Sequence, residues 1–166
     1  MSTATTTHLV TRAHTATHLS NAIFSAIAEV LTHLGIAAKP LIDNWYTSYD
    51  PALRAWIQEG SLASVVVECH RPTGGVEPVL EFPITYTTGS AQLSHRHVAL
   101  ARQWAKLTQV PGGTTFSVIC QYNGYHTPQP GWGPTTRATT AGMRSVTLGT
   151  LAGGPGASAS VRYLTR

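Results

Sequence analysis

Eight histidines, seven acids and two cysteines are the groups in this 166-residue chain that could do chemistry. His14 and His18 lie four apart, so on a helix they share one face and could hold a metal ion together. His95 and His97 flank Arg96. A catalytic zinc wants a third protein ligand held by an orienting outer shell, and no spacing here supplies one, so no metal is assigned. Cys69 is followed by His70, but neighbours in a strand point to opposite faces, which leaves the thiol without a base. No pair of acids is forced together by spacing. The phosphate-cradling glycine loop with its lysine, the G-x-S-x-G elbow and the H-E-x-x-H helix are all missing. The glycine pairs Gly74–Gly75, Gly112–Gly113 and Gly153–Gly154 are turn material. The reading is of a protein that is not an enzyme, with no catalytic residue and no cofactor.

What remains is binding. All seven acids fall within residues 1–81, against four basic residues; residues 82–166 carry seven basic residues and no acid. A half with that surplus can meet an acidic peptide or a nucleic acid, and a basic nucleic-acid-binding module is the alternative function. The arginines are scattered rather than clustered, which speaks against nucleic acid. Arg144 and Arg162 sit in alternating runs and read as outward strand residues that blunt a sheet edge. Tyr122, Tyr125 and Trp132, around "QYNGYHTPQPGWGP", would form either an aromatic peptide pocket or pins that hold an irregular loop.

These groups need a scaffold, and the pattern supplies one. Charged residues make up only 11% of the chain, far below the usual share of about a quarter. Residues 1–14 are threonine-rich without amphipathic period and read as a flexible arm. From Thr15, Leu19, Ile23, Ile27, Val30, Leu31 and Leu34 recur at helical spacing, stopped by Gly35. "DPALRAWIQEG" predicts a second helix with Asp50 as its N-cap and Gly60 as its stop. "SLASVVVECH" and "VEPVLEFPITYTT" predict a hairpin through "RPTGG", with Pro78 and Pro83 marking an edge or a bulge. "SHRHVALARQWAKL" predicts a third helix, and "TTFSVICQY" a third strand with Phe116, Val118, Cys120 and Tyr122 on one face. The fold class is α+β: helices packed on a small, mostly antiparallel sheet. Two cysteines inside apolar runs, no secretory segment and no long apolar run lead to the expectation of a cytoplasmic protein with buried free thiols.

The tail, 131–166, holds no acid and few large apolar side chains, yet Arg144–Leu151 and Ala157–Leu164 alternate as strands do. It can pair through its backbone but is expected to anchor weakly. Together with His14–Phe24 and "DPALRAWIQEGSLASVVVE", this tail resembles the bacterial HORMA-domain proteins. The resemblance covers nearly the whole chain and is most specific at Pro130–Thr136 and the glycine-rich Leu148–Ser160. It implies three helices on an antiparallel sheet, with an arm over 1–14, a core over 15–130 and a C-terminal safety belt over 131–166. It also implies a conformational switch in which the belt moves between the two sheet edges and wraps a closure-motif peptide that adds as a strand. The peptide clamp is expected at Val118, Cys120, Tyr122, Trp132, Val161 and Tyr163, with hinge freedom at Gly149, Gly153, Gly154 and Gly156. An AAA+ remodeller would grip the arm at Thr5, Thr6, Thr7 and Leu9. The partner implied is an enzyme such as the cyclic-nucleotide-making nucleotidyltransferase of antiphage systems, and the belt or arm could support self-association.

Overall fold

The computed structural model describes residues 3–87 and 92–166, with side chains from residue 12 onward except those of His97 and Val98. Helix α1 spans Thr3–Leu34. Leu19, Ile23, Val30, Leu31 and Leu34 are completely buried and Ile27 nearly so, because α1 runs through the middle of the core. The helix ends in a left-handed turn at Gly35, with Ile36 N–H reaching back to the Leu31 carbonyl. The threonine-rich segment expected to be a flexible arm is therefore largely helical. A helix nucleated by the packed stretch can continue through poor helix formers at little further cost. Residues 1–2 lie outside the described residues, as do the side chains of Thr5, Thr6, Thr7 and Leu9.

Three helical pieces follow without a break: α2 (Lys39–Asn44), a π-helical turn (Trp45–Tyr49) and α3 (Asp50–Glu59). Asp50 is thus an inner residue rather than the expected N-cap. Its carboxylate accepts from Ser20 Oγ at 2.6 Å and pairs with Arg54 at 3.1 Å, tying α3 to α1. Leu53, Trp56 and Ile57 face the core, and Gly60, in the left-handed region, ends the helix as expected. α4 covers His97–Trp104 and buries Leu100 and Trp104.

The strands are β1 (Leu62–His70), β2 (Val76–Thr85), β3 (Ser94–His95), β4 (Thr115–Tyr122), β5 (Arg144–Gly154) and β6 (Ala157–Thr165). They form one sheet in the order β3-β5-β6-β2-β1-β4, antiparallel throughout. β2 is interior, so neither proline marks an edge. Pro78 lies at the register shift between Glu68 and His70 of β1, and Pro83 at a gap in the β2–β6 ladder between Glu81 and Ile84. Those are the places where a missing N–H costs nothing.

The sheet has two distinct faces. Val65, Val67, Leu80 and Phe82 point to the helices and join the main core. Val66, Val79, Ile119 and Leu164 form a second, smaller cluster on the face away from them. The tail is anchored more deeply than its composition promised: Leu151, Ala152, Ala157, Ala159 and Val161 are buried. Small side chains suffice because backbone pairing brings them close beneath α1.

Candidate functional site

β4 ends the sheet, and among the described residues no strand pairs with its outer edge. Its helix-side residues Phe116, Val118, Cys120 and Tyr122 pack at the margin of the core, as the alternation predicted. Residues 123–143 then leave β4 as a strap that travels to β5, four strands away.

The strap is pinned first on the helix side. Trp56 Nε1 donates to the Thr127 carbonyl at 2.7 Å, and Thr127 Oγ1 donates to Glu59 Oε1 at 2.6 Å. Hydrogen bonds from Ser61 and Thr127 hold the Glu59 carboxyl below its ordinary value. Trp132 is the next pin. Its Nε1 donates to the Ser48 carbonyl at 2.9 Å, and its ring lies edge-on to Trp56 and Tyr49, with centroids 5.3 and 5.6 Å away. The strap next passes to the other face of the sheet. Arg137 Nη2 donates to Glu81 Oε1 at 2.7 Å, and Ala138 N–H donates to Glu68 Oε2 at 2.7 Å. Both carboxylates are buried. Met143 then covers the smaller cluster.

Between the β4 edge and the strap lies a channel of ≈ 840 Å³. Val118, Cys120, Tyr122 and Trp132 line it on one side, and Ser117, Gln121, His70 and Arg137 on the other. The outer side is already ordered: the His70 ring bonds Ser117 Oγ at 2.8 Å, and Ser64 Oγ donates to Gln121 Oε1 at 2.8 Å. His126 stacks on Tyr122 at a centroid separation of 3.4 Å, and burial raises the Tyr122 hydroxyl to about 12. The channel thus offers an unpaired strand edge, a closed strap, an aromatic wall and a polar wall. An extended chain entering it would gain main-chain hydrogen bonds from β4 and side-chain contacts from both walls.

The structure brings together four of the six residues expected to clamp a peptide: Val118, Cys120, Tyr122 and Trp132. It does not bring Val161 and Tyr163 there; both lie in β6, with β2 and β1 between them and β4. Tyr125 is 82% exposed. Of the expected hinge residues, Gly149 sits at a register shift, Gly156 in the β5–β6 turn, and Gly153 and Gly154 in the close-packed end of β5.

Arg162 does not blunt an edge as expected, since β6 is interior; its Nη2 pairs with Glu81 Oε2 at 2.6 Å. Glu81 therefore holds two arginines, one on the strap and one on the terminal hairpin. Sequence reasoning missed this clasp because the arginines are 56 and 81 residues from Glu81 along the chain. Glu77 forms a second clasp that it also missed, accepting from Thr165 Oγ1 at 2.6 Å and Arg166 N–H at 3.0 Å. Those bonds hold the Glu77 carboxyl below its ordinary value.

Of the histidine pair considered for a metal, His14 and His18, the His18 ring is engaged elsewhere: it bonds the Ser94 carbonyl at 2.7 Å and meets His95 edge-on at 6.0 Å. Among the described residues no three histidines, cysteines or acids gather as metal ligands. Burial raises the Cys69 thiol to about 12 and pushes Cys120 up as well, so neither is an activated nucleophile. Among the described residues no helix is long and apolar enough to cross a membrane.

The family model described as bacterial HORMA domain 2 matches residues 4–166. Among curated proteins none matches the sequence. Three solved structures share the fold at low identity. A chain of a mitotic checkpoint complex superposes with a TM-score of 0.73 at 11% identity, covering 89% of this chain and 95% of that one. C. elegans HTP-2 bound to the HIM-3 closure motif gives 0.65 at 15%, covering 88% and 87%. A chain of the E. coli MS115-1 HORMA:CdnC:Trip13 complex gives 0.60 at 14%, covering 91% and 87%.

Proposed function

The chain belongs to the bacterial HORMA domain 2 family, and from that membership we propose that it is a conformation-switching adaptor that encloses a closure-motif peptide against β4. The observation that carries this reading is the arrangement of the tail. The β5–β6 hairpin is docked on β2, at one side of the three-stranded core, while β4, at the other side, keeps a bare edge facing a closed strap. We read this as the wrapped arrangement, in which the channel would take one added strand. The peptide contacts are Val118, Cys120, Tyr122 and Trp132.

A switch needs a second state and a way back. Moving the hairpin requires breaking the Glu81 and Glu77 clasps and stripping β6 from β2, so return to an open form needs work from outside. A Trip13-like AAA+ remodeller acting on the N-terminal part of α1 fits, because α1 packs directly on the hairpin at Thr15 and Gly154. The E. coli HORMA relative, solved with CdnC and Trip13, supports a cyclic-nucleotide-synthesising nucleotidyltransferase as the enzyme regulated. The protein itself acts by binding, without catalysis.

Hydrogen exchange tests the site. A peptide captured by the full chain should slow exchange in residues 117–122 and 131–137. Protection confined to other elements would place the ligand elsewhere and remove this reading.

A further inference from the structure

We infer that the channel selects a peptide with two anchor residues four apart: a bulky apolar side chain at one and an uncharged side chain with a hydrogen-bonding end at the other. The inference rests on the peptide-binding reading above and specifies its ligand.

Val118 and Tyr122 stand four residues apart on the same face of β4, a separation of about 13 Å along a strand. Each opens onto its own side cavity off the channel. The Val118 cavity, ≈ 280 Å³, is lined by Asn44, Ser48, Tyr49 and Trp132. The Tyr122 cavity, ≈ 320 Å³, is lined by Trp56, His126, Pro128, Trp132 and Pro134, with Gln129 the one amide among them. Trp132 borders both and separates them. A strand laid beside β4 sends alternate side chains to this face. Residues opposite Val118 and Tyr122 enter the two cavities, and the residue midway between them lies against Trp132 and Cys120, where a small side chain fits.

The chemistry of the two cavities differs. Rings and prolines wall the Tyr122 cavity, which suits a large aliphatic or aromatic group. The Asn44 amide at the mouth of the Val118 cavity already donates to the Pro40 carbonyl at 2.7 Å, so the half-buried Ser48 hydroxyl is the group that a polar-ended side chain meets there. The intervening peptide residues face Ser117, Gln121 and Arg137. The rule holds for either strand direction, and the order of the two anchors reports which direction is used.

The test is selection of a random 12-residue display library on the immobilised full chain, followed by synthesis of an enriched peptide. The expected result is a bulky apolar residue and a polar-ended residue four apart, with a small residue midway. Alanine at the bulky anchor should weaken binding at least about tenfold. Ser48→Leu, a half-buried position that narrows only the Val118 cavity, should erase selectivity at the polar-ended anchor and leave the bulky anchor unchanged. Enriched peptides that lack the four-residue spacing, or that depend on a fixed charge at either anchor, would overturn this inference while peptide binding stands. A library from which the chain retains nothing would overturn the peptide-binding reading, and this inference with it.

Discussion

Thr15 of α1 sits directly on Gly154 of β5: a methyl group at position 154 would lie 2.8 Å from Thr15 Oγ1 and 3.2 Å from its Cγ2, and 2.6 Å from Cδ2 of Leu93, an exposed side chain whose end can move aside. Thr15 is buried and β-branched, so it has little room to turn away. This contact joins the first helix to the terminal hairpin, the two parts a switch must separate. Gly154→Ala should therefore destabilise the fold by about 1–3 kcal/mol. Thr15→Ala added to it should recover part of that loss, because the contact with Thr15 is then relieved while that with Leu93 remains. Chemical denaturation of the two singles and the double measures the coupling, and purely additive losses would show that the contact is not the cause.

The Glu81 clasp should rank its members. Removing the buried carboxylate strands two arginines, so Glu81→Ala is expected to cost about 3 kcal/mol. Arg137→Ala should cost less, and Arg162→Ala, whose side chain is 47% exposed, least of all. Arg137→Ala should in addition speed the release of a captured peptide, since it frees the strap and leaves the hairpin docked. Dissociation rates from stopped-flow fluorescence separate this from a general loss of stability.

Trp132 pins the strap and also walls the channel. Trp132→Ala removes its bond to the Ser48 carbonyl and its contacts with Trp56 and Tyr49, for an expected loss of about 2–4 kcal/mol. Trp132→Phe keeps much of the ring contact and loses the bond, and should fall between. Peptide affinity should follow the same order; an affinity unchanged by both variants would remove Trp132 from the site.

Stability should be greatest near neutral pH and fall on both sides. Glu77, holding the end of β6, and Glu59, holding the strap, have lowered values. A lowered carboxyl contributes stability that is present above the ordinary value of 4.5 and is lost as pH falls through the folded value beneath it. Glu77→Gln should flatten the acid limb. On the alkaline side, Cys69 and Tyr86 are raised to about 12 by burial. A raised group contributes stability that is complete below its unfolded value and is lost as pH rises through the folded one. The alkaline limb should therefore begin near pH 9, the ordinary thiol value. Thermal melting from pH 3 to 11 reads both limbs.

The two thiols should differ in alkylation of the folded protein. Cys69 is fully buried, whereas Cys120 is half-buried on the channel wall. Iodoacetamide at pH 8 should label Cys69 only as fast as the protein opens, and Cys120 faster, though slowly for a thiol because its value is raised. An added peptide should slow Cys120 and leave Cys69 unchanged; equal protection of both without peptide would show that the channel does not reach Cys120.

Local pattern carried much of the architecture. The repeat of Leu19, Ile23, Ile27 and Leu31 placed α1, Gly35 and Gly60 placed two helix ends, and Phe116 to Tyr122 placed the face of β4, because periodicity and caps are properties of neighbouring residues. The same locality explains the misses. Thr3–His14 continued a helix that its own composition would not start. Asp50 looked like a cap because the π turn before it has no sequence signature. Pro78 and Pro83 allowed an edge or a bulge, and only the docking of β6 on β2 removed the edge.

The sequence by itself determined that the tail has two alternating stretches of small residues, able to pair through the backbone, and an aromatic loop before them. It could not determine where that tail goes. The tertiary structure decided that the hairpin docks on β2 while, among the described residues, nothing pairs with the outer edge of β4, and that Trp132 and Arg137 end up on opposite faces of the sheet around one channel. Backbone pairing is nearly indifferent to side-chain identity, so either edge satisfies the local pattern. The choice is made by contacts between distant residues: Arg137 and Arg162 on Glu81, Thr165 on Glu77, and Thr15 on Gly154.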